Sequence, residues 1–176
     1  MQSFSIRDEK ESTRVKVSDC GSIKTKDFFT FETAEGKNFV WSHFYPAIAD
    51  TATASMILRP SGVTNHLYFN IMAEGDAHYT IHELPVLSAA GTTLDPVCTH
   101  RSQKTVSGTS CFYTPTITSY SGTTLLQGYI PNLLGGGSGA RVFHWHFPSN
   151  VTVAVSVRNC AGAAKNIGIE ATWNEE

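Results

Sequence analysis

The residues best suited to chemistry in this sequence are two histidines that flank a tryptophan, His144 and His146. On a β-strand, residues i and i+2 project to the same side, so both imidazoles could reach one metal ion. A complete metal site needs a carboxylate or a further histidine, and the Phe-Pro-Ser-Asn sequence that follows supplies neither. We therefore favour an interpretation in which Phe143, Trp145 and Phe147 fill the core while the two histidines face outward.

A second pair of histidines leaves an alternative open. His78 and His82 also share one strand face, and together with His144 and His146 on neighbouring strands they would give four imidazoles. The His-x-His spacing is similar to the metal motif of cupins, although the glutamate of that motif is lacking. A cupin-like metalloenzyme is therefore one alternative. The structural alternative is that these histidines form a polar outer face or a subunit interface.

The sequence contains none of the other common catalytic motifs. It has no GxSxG nucleophile elbow and no HExxH, and the run 135–139 (GGGSG) lacks the Lys-Ser/Thr of a phosphate-binding loop. Acidic residues are sparse within the predicted strands, so paired carboxylates for glycoside hydrolysis are not evident. We therefore predict a protein that is not an enzyme, with no catalytic, cofactor-binding or metal-binding residues and no cofactor.

Aromatic residues are abundant, with ten Phe, six Tyr and three Trp. Exposed aromatic rings could bind sugars or nucleobases, but aromatic residues are enriched in strands because they pack well there. We expect most of them to pack within the fold.

Strand signals dominate the elements that must position these side chains. Aromatic and β-branched residues alternate with polar ones, between turns rich in Gly, Pro, Asn and Ser, and no segment has a convincing helical period. This pattern is typical of a β-sandwich or barrel. The predicted strands are 13–17, 27–33, 38–45, 54–58, 66–72, 78–84, 111–118, 124–130, 141–147, 151–157 and 166–173, with a loop at 88–92. The predicted core includes Leu67, Phe69, Ile71, Val153, Val155, Ile167, Ile169 and Trp173.

Only 16% of the 176 residues are charged, and the net charge is −2. There is no basic surface signal for nucleic acid, no signal peptide and no apolar run long enough to span a membrane. We expect synthesis in the cytoplasm.

The four cysteines have no CxxC spacing of the kind found in zinc or redox sites, and we expect four free, mostly buried thiols: Cys20, Cys98, Cys111 and Cys160.

Charge density falls near residue 27, which suggests two parts of the chain. Residues 1–26 are predicted to be an N-terminal arm that lies on a neighbouring molecule, and residues 27–176 to be one β-sandwich domain.

From about Asn65 to the end, the chain resembles small structural proteins of tailed-phage virions. The matching segments are 79–97 (YTIHELPVLSAAGTTLDPV), 114–131 (TPTITSYSGTTLLQGYIP), 135–141 (GGGSGAR) and 150–176 (NVTVAVSVRNCAGAAKNIGIEATWNEE). Within the last segment, the family pattern is matched by Arg158, Asn159, Gly162, Ala163, Ala164 and Trp173. The run after the first segment, 98–102 (CTHRS), is less basic than the family's usual sequence there.

Together with the strand pattern and the arm predicted above, this resemblance favours an all-β, jelly-roll-like antiparallel β-sandwich with an N-terminal arm. It also implies a virion protein, and we expect a capsid decoration or cement protein of a tailed-phage head. Such a protein binds and stabilises the outer surface of the shell, most simply as a homotrimer. The expected partners are the major capsid protein and further copies of itself, with no nucleic acid and no membrane. A carbohydrate-binding or adhesin module on a head fibre or tail is the other alternative.

Overall fold

The computed structural model describes residues 36–63, 65–100, 102, 105–133, 137–138 and 141–175. Within these ranges every regular element is a β-strand. The strands are β1 (Asn38–Ile48), β2 (Thr53–Pro60), β3 (Asn65–Ala73), β4 (Ala77–Glu83), β5 (Pro85–Ala89), β6 (Thr92–Thr93), β7 (Val97–Cys98), β8 (Thr109–Tyr113), β9 (Thr116–Tyr120), β10 (Thr124–Ile130), β11 (Asn132–Leu133), β12 (Gly137–Ser138), β13 (Arg141–Phe147), β14 (Val153–Asn159) and β15 (Lys165–Glu175).

Eight of these strands form two antiparallel sheets. Sheet I has the order β13-β3-β15-β1 and carries the short β7 at its β1 edge. Sheet II has the order β10-β4-β14-β2 and is extended by β8 and β6. Apart from the step from β4 to β10, consecutive strands of this set alternate between the sheets, which is the winding of a jelly roll. The predicted all-β, jelly-roll-like sandwich is therefore confirmed.

The core lies between the two sheets. Side chains alternate along each strand, so every second residue of one sheet points at the other sheet. All eight predicted core residues, from Leu67 to Trp173, are no more than 1% exposed. Trp173 stacks on Phe39 with 6.1 Å between ring centroids, which joins β15 to β1. Phe147 is buried as predicted, whereas Trp145 is only half-buried.

The jelly roll is interrupted between β4 and β10 by a long excursion, residues 84–123, in which β5 and β9 pair as a separate two-stranded sheet, the β5–β9 ribbon. The predicted loop at 88–92 is wrong at both ends, because β5 continues to Ala89 and β6 begins at Thr92. The predicted strand 111–118 is instead two strands, β8 and β9. Thr114 has a positive φ of 52° and is followed by a proline, which has no N–H to donate, so the ladder breaks there.

A tight turn precedes β14, as the Pro-Ser-Asn sequence predicts. The Val151 N–H donates to the Pro148 carbonyl at 3.4 Å, and Asn150 takes a φ of 71°, which asparagine tolerates better than most residues. The strand itself is displaced from the prediction of 151–157, since it begins at Val153 and continues to Asn159.

The last strand anchors the excursion to the sandwich. The carboxylate of Glu175 is buried and accepts hydrogen bonds from the backbone N–H of Gly108 at 2.9 Å and of Thr109 at 3.2 Å. It also accepts from the Ser107 hydroxyl and from the indole N–H of Trp173 at 3.0 Å. The segment before β8 is thereby tied to β15.

Several predictions lie outside the described residues. These are the N-terminal arm 1–26, the strands 13–17 and 27–33, and Cys20. Within the glycine-rich run 135–139, only Gly137 and Ser138 are described, as β12 paired with β11.

Candidate functional site

A groove lies between the β5–β9 ribbon and the outer surface of sheet II. Its volume is 710 Å³. Three neighbouring strands, β2, β14 and β4, form its floor, and residues 115–120 form its wall. The floor residues, two from each strand, are Thr53, Ser55, Ser156, Arg158, His78 and Thr80.

Strand alternation explains why the floor is polar. In β14, Val153, Val155 and Val157 point into the core, so Ser156 and Arg158 must point away from it. Antiparallel register then aligns each residue with its neighbours. Ser156 lies opposite Ser55 on one side and Thr80 on the other.

The floor hydroxyls are linked by hydrogen bonds. The side chains of Ser55 and Ser156 are 2.9 Å apart between their Oγ atoms, and the hydroxyl of Tyr120 lies 3.3 Å from the Ser156 Oγ. Below them, the buried Tyr45 hydroxyl donates to the Ser55 carbonyl at 2.7 Å. These contacts fix the positions of the oxygen atoms while leaving each hydroxyl able to donate or accept.

The wall is held against sheet II by an aromatic contact. The ring of Tyr120 stacks on the imidazole of His82, with 3.9 Å between centroids and 21° between planes. His82 also hydrogen-bonds the Thr124 hydroxyl at 3.0 Å. Burial lowers the pKa of His82, which favours the neutral imidazole in this stack.

One end of the groove carries a positive charge. Arg158 is exposed, and its Nε–H donates to the Thr51 carbonyl at 3.2 Å, which leaves its two terminal amino groups available to a ligand.

The next residue, Asn159, is buried and organises the following turn. Its amide donates to the carbonyls of Ile48 at 2.8 Å and Ala163 at 2.7 Å.

The segment of Arg158 and Asn159 is one of those on which the family resemblance depends. Gly162 in the same segment has a φ of 73°, a conformation that favours glycine, and its N–H donates to the Asp50 carboxylate at 3.0 Å. Most of this segment therefore shapes a turn, and Arg158 is the residue that also reaches the groove.

The outer face of sheet I is a second candidate surface. Across β1, β15 and β3, Phe44 lies opposite Gly168, which lies opposite Met72. Phe44 is 60% exposed and Met72 is 38% exposed. Glu170 is the one carboxylate among the described outward positions of these three strands, and none of those positions is Lys or Arg. This face is therefore low in charge, with an apolar strip at one end.

The structure does not bring together the four histidines of the alternative that the sequence left open. His78 and His82 lie on β4 of sheet II, whereas His144 and His146 lie on β13 of sheet I. His146 is exposed as predicted, and its ring is 4.6 Å from that of His66 between centroids. The side chain of His144 lies outside the described residues. In the part of the chain that the structure describes, no three His, Cys, Asp or Glu residues are placed to hold a metal ion.

The described cysteines agree with the prediction. Cys98 and Cys111 are buried free thiols, and Cys160 is a half-buried free thiol. Burial, with a smaller contribution from the Glu175 carboxylate, raises the pKa of the Cys111 thiol, so this sulfur is not a reactive thiolate.

Sequence reasoning missed the groove. The signal for its floor was present in β14, where Val153, Val155 and Val157 alternate with Ala154, Ser156 and Arg158. No local signal places the wall, because Tyr120 meets Ser156 across 36 residues of chain.

The groove has the chemistry of a binding site. Its lining contains eight hydroxyl-bearing side chains, one arginine and one histidine, and no carboxylate. Hydroxyls and a guanidinium can bind polar ligands, but this lining offers no acidic side chain to act as a general acid or to orient a catalytic base.

Comparisons with known proteins add no family. No protein-family model matches the chain, and no curated protein sequence matches it. Among the described residues there is also no helix of the length and apolar character that crossing a membrane would require.

Proposed function

We propose that this chain is a non-enzymatic virion structural protein that binds and stabilises the outer surface of a tailed-phage head. In this proposal it is synthesised in the host cytoplasm and acts on the capsid as a homotrimeric decoration or cement protein. Its partners are the major capsid protein and further copies of itself, and it binds neither nucleic acid nor a membrane.

The observation that carries the proposal is a jelly roll with a low-charge outer face on sheet I. Covering such a face removes few charges from water, so the desolvation cost of a protein contact there is small. Phe44 and Met72 add apolar area that is exposed in the single chain. We assign this strip to contacts between copies, because identical chains most often assemble with closed cyclic symmetry.

A trimer supports attachment to a shell through multiple weak contacts. Tailed-phage heads present three-fold and quasi-three-fold positions, where three linked subunits can engage three equivalent sites. Linked contacts can raise the apparent affinity by about 10²–10⁴ without a strong individual contact. The family resemblance of residues 65–176 supports the same location.

Light scattering on the purified full chain tests the assembly. We expect a mass of three times the 19.2 kDa chain. The variant Phe44→Asp should shift the mass toward the monomer and weaken co-sedimentation with heads that lack this protein. Val106→Asp is the matched control, because Val106 is 88% exposed and lies in the segment tied to the other end of β15.

A wild-type monomer at micromolar concentration would contradict the trimer and the avidity argument with it. A trimer that fails to sediment with heads would contradict the attachment.

A further inference from the structure

We infer that the groove between the β5–β9 ribbon and sheet II binds an acidic sugar residue, a hexuronate unit of a polysaccharide. This goes beyond attachment to a shell, because it gives the protein a second surface, on the opposite sheet, that faces a soluble or cell-surface glycan.

The size and shape of the groove suit a small ligand. Its volume of 710 Å³ lies within the roughly 300–1,000 Å³ of small-molecule sites. It is bounded by paired strands on the floor and, on the wall, by β9, which is paired with β5, so its shape is set by backbone hydrogen bonds. A preformed site of this kind needs little ordering when a ligand binds.

The lining matches the hydroxyls of a sugar. Eight of its twelve residues carry a hydroxyl group. Each hydroxyl offers one donor and two acceptor positions, which is also what a sugar hydroxyl offers. The central pair, Ser55 and Ser156, is buried and linked at 2.9 Å, so these oxygens are held in place before any ligand arrives.

An apolar contact is available beside the hydroxyls. Pro115, Ile117 and the ring of Tyr120 line the wall, and Tyr120 is 37% exposed although it is stacked on His82. The C–H face of a pyranose can pack on such a surface while its hydroxyls reach the floor. An aromatic ring with a polar end is well suited to this mixed contact.

The charge of the groove lining favours a ligand with a negative charge. No Asp or Glu lines the groove, and Arg158 is its one permanently charged side chain. Because the Nε–H of Arg158 is held by the Thr51 carbonyl at 3.2 Å, its guanidinium is oriented before binding. A guanidinium binds a carboxylate through two parallel hydrogen bonds, a geometry that lysine cannot reproduce. A uronate supplies that carboxylate together with ring hydroxyls.

The test is a titration of the full chain with galacturonate and glucuronate oligosaccharides, in which binding is measured by NMR or calorimetry. The neutral oligosaccharides of the same length serve as comparison ligands. We expect the acidic oligosaccharides to bind more tightly than the neutral ones. Arg158→Gln should weaken their binding by about tenfold to a hundredfold, and Arg158→Lys should restore only part of it.

Arg59→Gln is the matched control. Arg59 also points outward from sheet II, but its guanidinium lies 5.3 Å from the centre of the Phe112 ring and it does not line the groove. This variant should bind uronates as the wild type does. Thermal unfolding of all variants checks that each remains folded.

Four results would overturn the inference. They are no uronate binding at millimolar concentrations, equal binding of acidic and neutral oligosaccharides, equal binding by wild type and Arg158→Gln, and, in a parallel titration with sulfate, sulfate binding as tight as uronate binding. None of these results bears on head attachment, because the groove variants should keep the wild-type mass and co-sedimentation.

Discussion

Replacing Glu175 by alanine should destabilise this protein more than its position next to the chain end suggests. Glu175 is buried, and its carboxylate accepts hydrogen bonds from Ser107, Gly108, Thr109 and Trp173. Oε1 accepts three of the four, and Oε2 accepts the bond from Gly108. Alanine removes the acceptor while the donors remain in the fold.

The size of the stability loss follows from the hydrogen-bond donors that the alanine variant leaves without an acceptor. A buried donor that loses its acceptor costs about 1–3 kcal/mol. The Gly108 N–H and the indole N–H of Trp173 lose theirs here, whereas the Thr109 N–H keeps a second acceptor, the Ser107 Oγ at 3.0 Å. Two effects offset part of this loss. The alanine variant no longer buries a charged carboxylate, and water can enter part of the vacated space and bond to the donors there, so the costs of the unpaired donors do not add fully. We expect a loss of about 3 kcal/mol in the free energy of unfolding. For a chain of this size that lowers the melting temperature by about 6–12 °C.

Glutamine provides a graded test of the same geometry. Its one carbonyl oxygen can replace Oε1 and keep three bonds, while its amide N–H₂ faces the N–H of Gly108. We therefore expect Glu175→Gln to lose about half as much stability as Glu175→Ala. Glu170→Ala is the matched control, because Glu170 lies on the outer face of the same strand and should change stability by less than about 0.5 kcal/mol.

Urea unfolding, followed by tryptophan fluorescence, measures these differences. An alanine variant within about 0.5 kcal/mol of the wild type would show that the carboxylate does not hold the excursion to β15. A glutamine variant as unstable as the alanine variant would refute the assignment of three bonds to one oxygen.

Three further predictions concern the turn held by Asn159, the pH dependence of stability and the N-terminal residues. Asn159→Ala should cost about 2 kcal/mol in urea unfolding, because two carbonyls and one N–H lose their partner; a loss under about 0.5 kcal/mol would refute that role. Burial lowers the pKa of His43 and His82 from 6.5, so the unfolded chain binds more protons below that pH. The melting temperature should therefore fall as the pH is lowered from 7 to 5, and this fall should be smaller in His82→Gln. Deletion of residues 1–26 should leave a folded domain by circular dichroism and weaken head binding, whereas failure to fold would place residues 13–17 in the core sheet.

The sequence was sufficient to predict the core because period-two alternation is a local signal. Leu67, Phe69 and Ile71 alternate with polar neighbours, and a strand with one buried face requires that pattern. The same rule also predicted that His146 points outward from β13.

Strand alternation does not tell which sheet a strand joins, so the sequence alone left the four-histidine alternative open. His82 and His146 both lie on strands with a buried opposite face, but β4 and β13 belong to different sheets. Sheet membership depends on pairing between distant segments, such as β13 with β3, which local patterns do not encode.

The groove could not be predicted because it depends on a layer added outside the sandwich. Ile57 and Ala154 point away from the core and yet are buried, so this part of sheet II is covered. The contacts that hold the β5–β9 ribbon there, from Tyr120 to His82 and Ser156, are long-range. Their residue types fit many other arrangements equally well.

The most direct test of the proposed function is an electron cryomicroscopy reconstruction of tailed-phage heads with and without the purified protein added. We expect three-lobed density on the outer shell at three-fold or quasi-three-fold positions, into which three copies of the jelly roll fit. Heads that show no added density, or a chain found only on the tail, would contradict the proposed function.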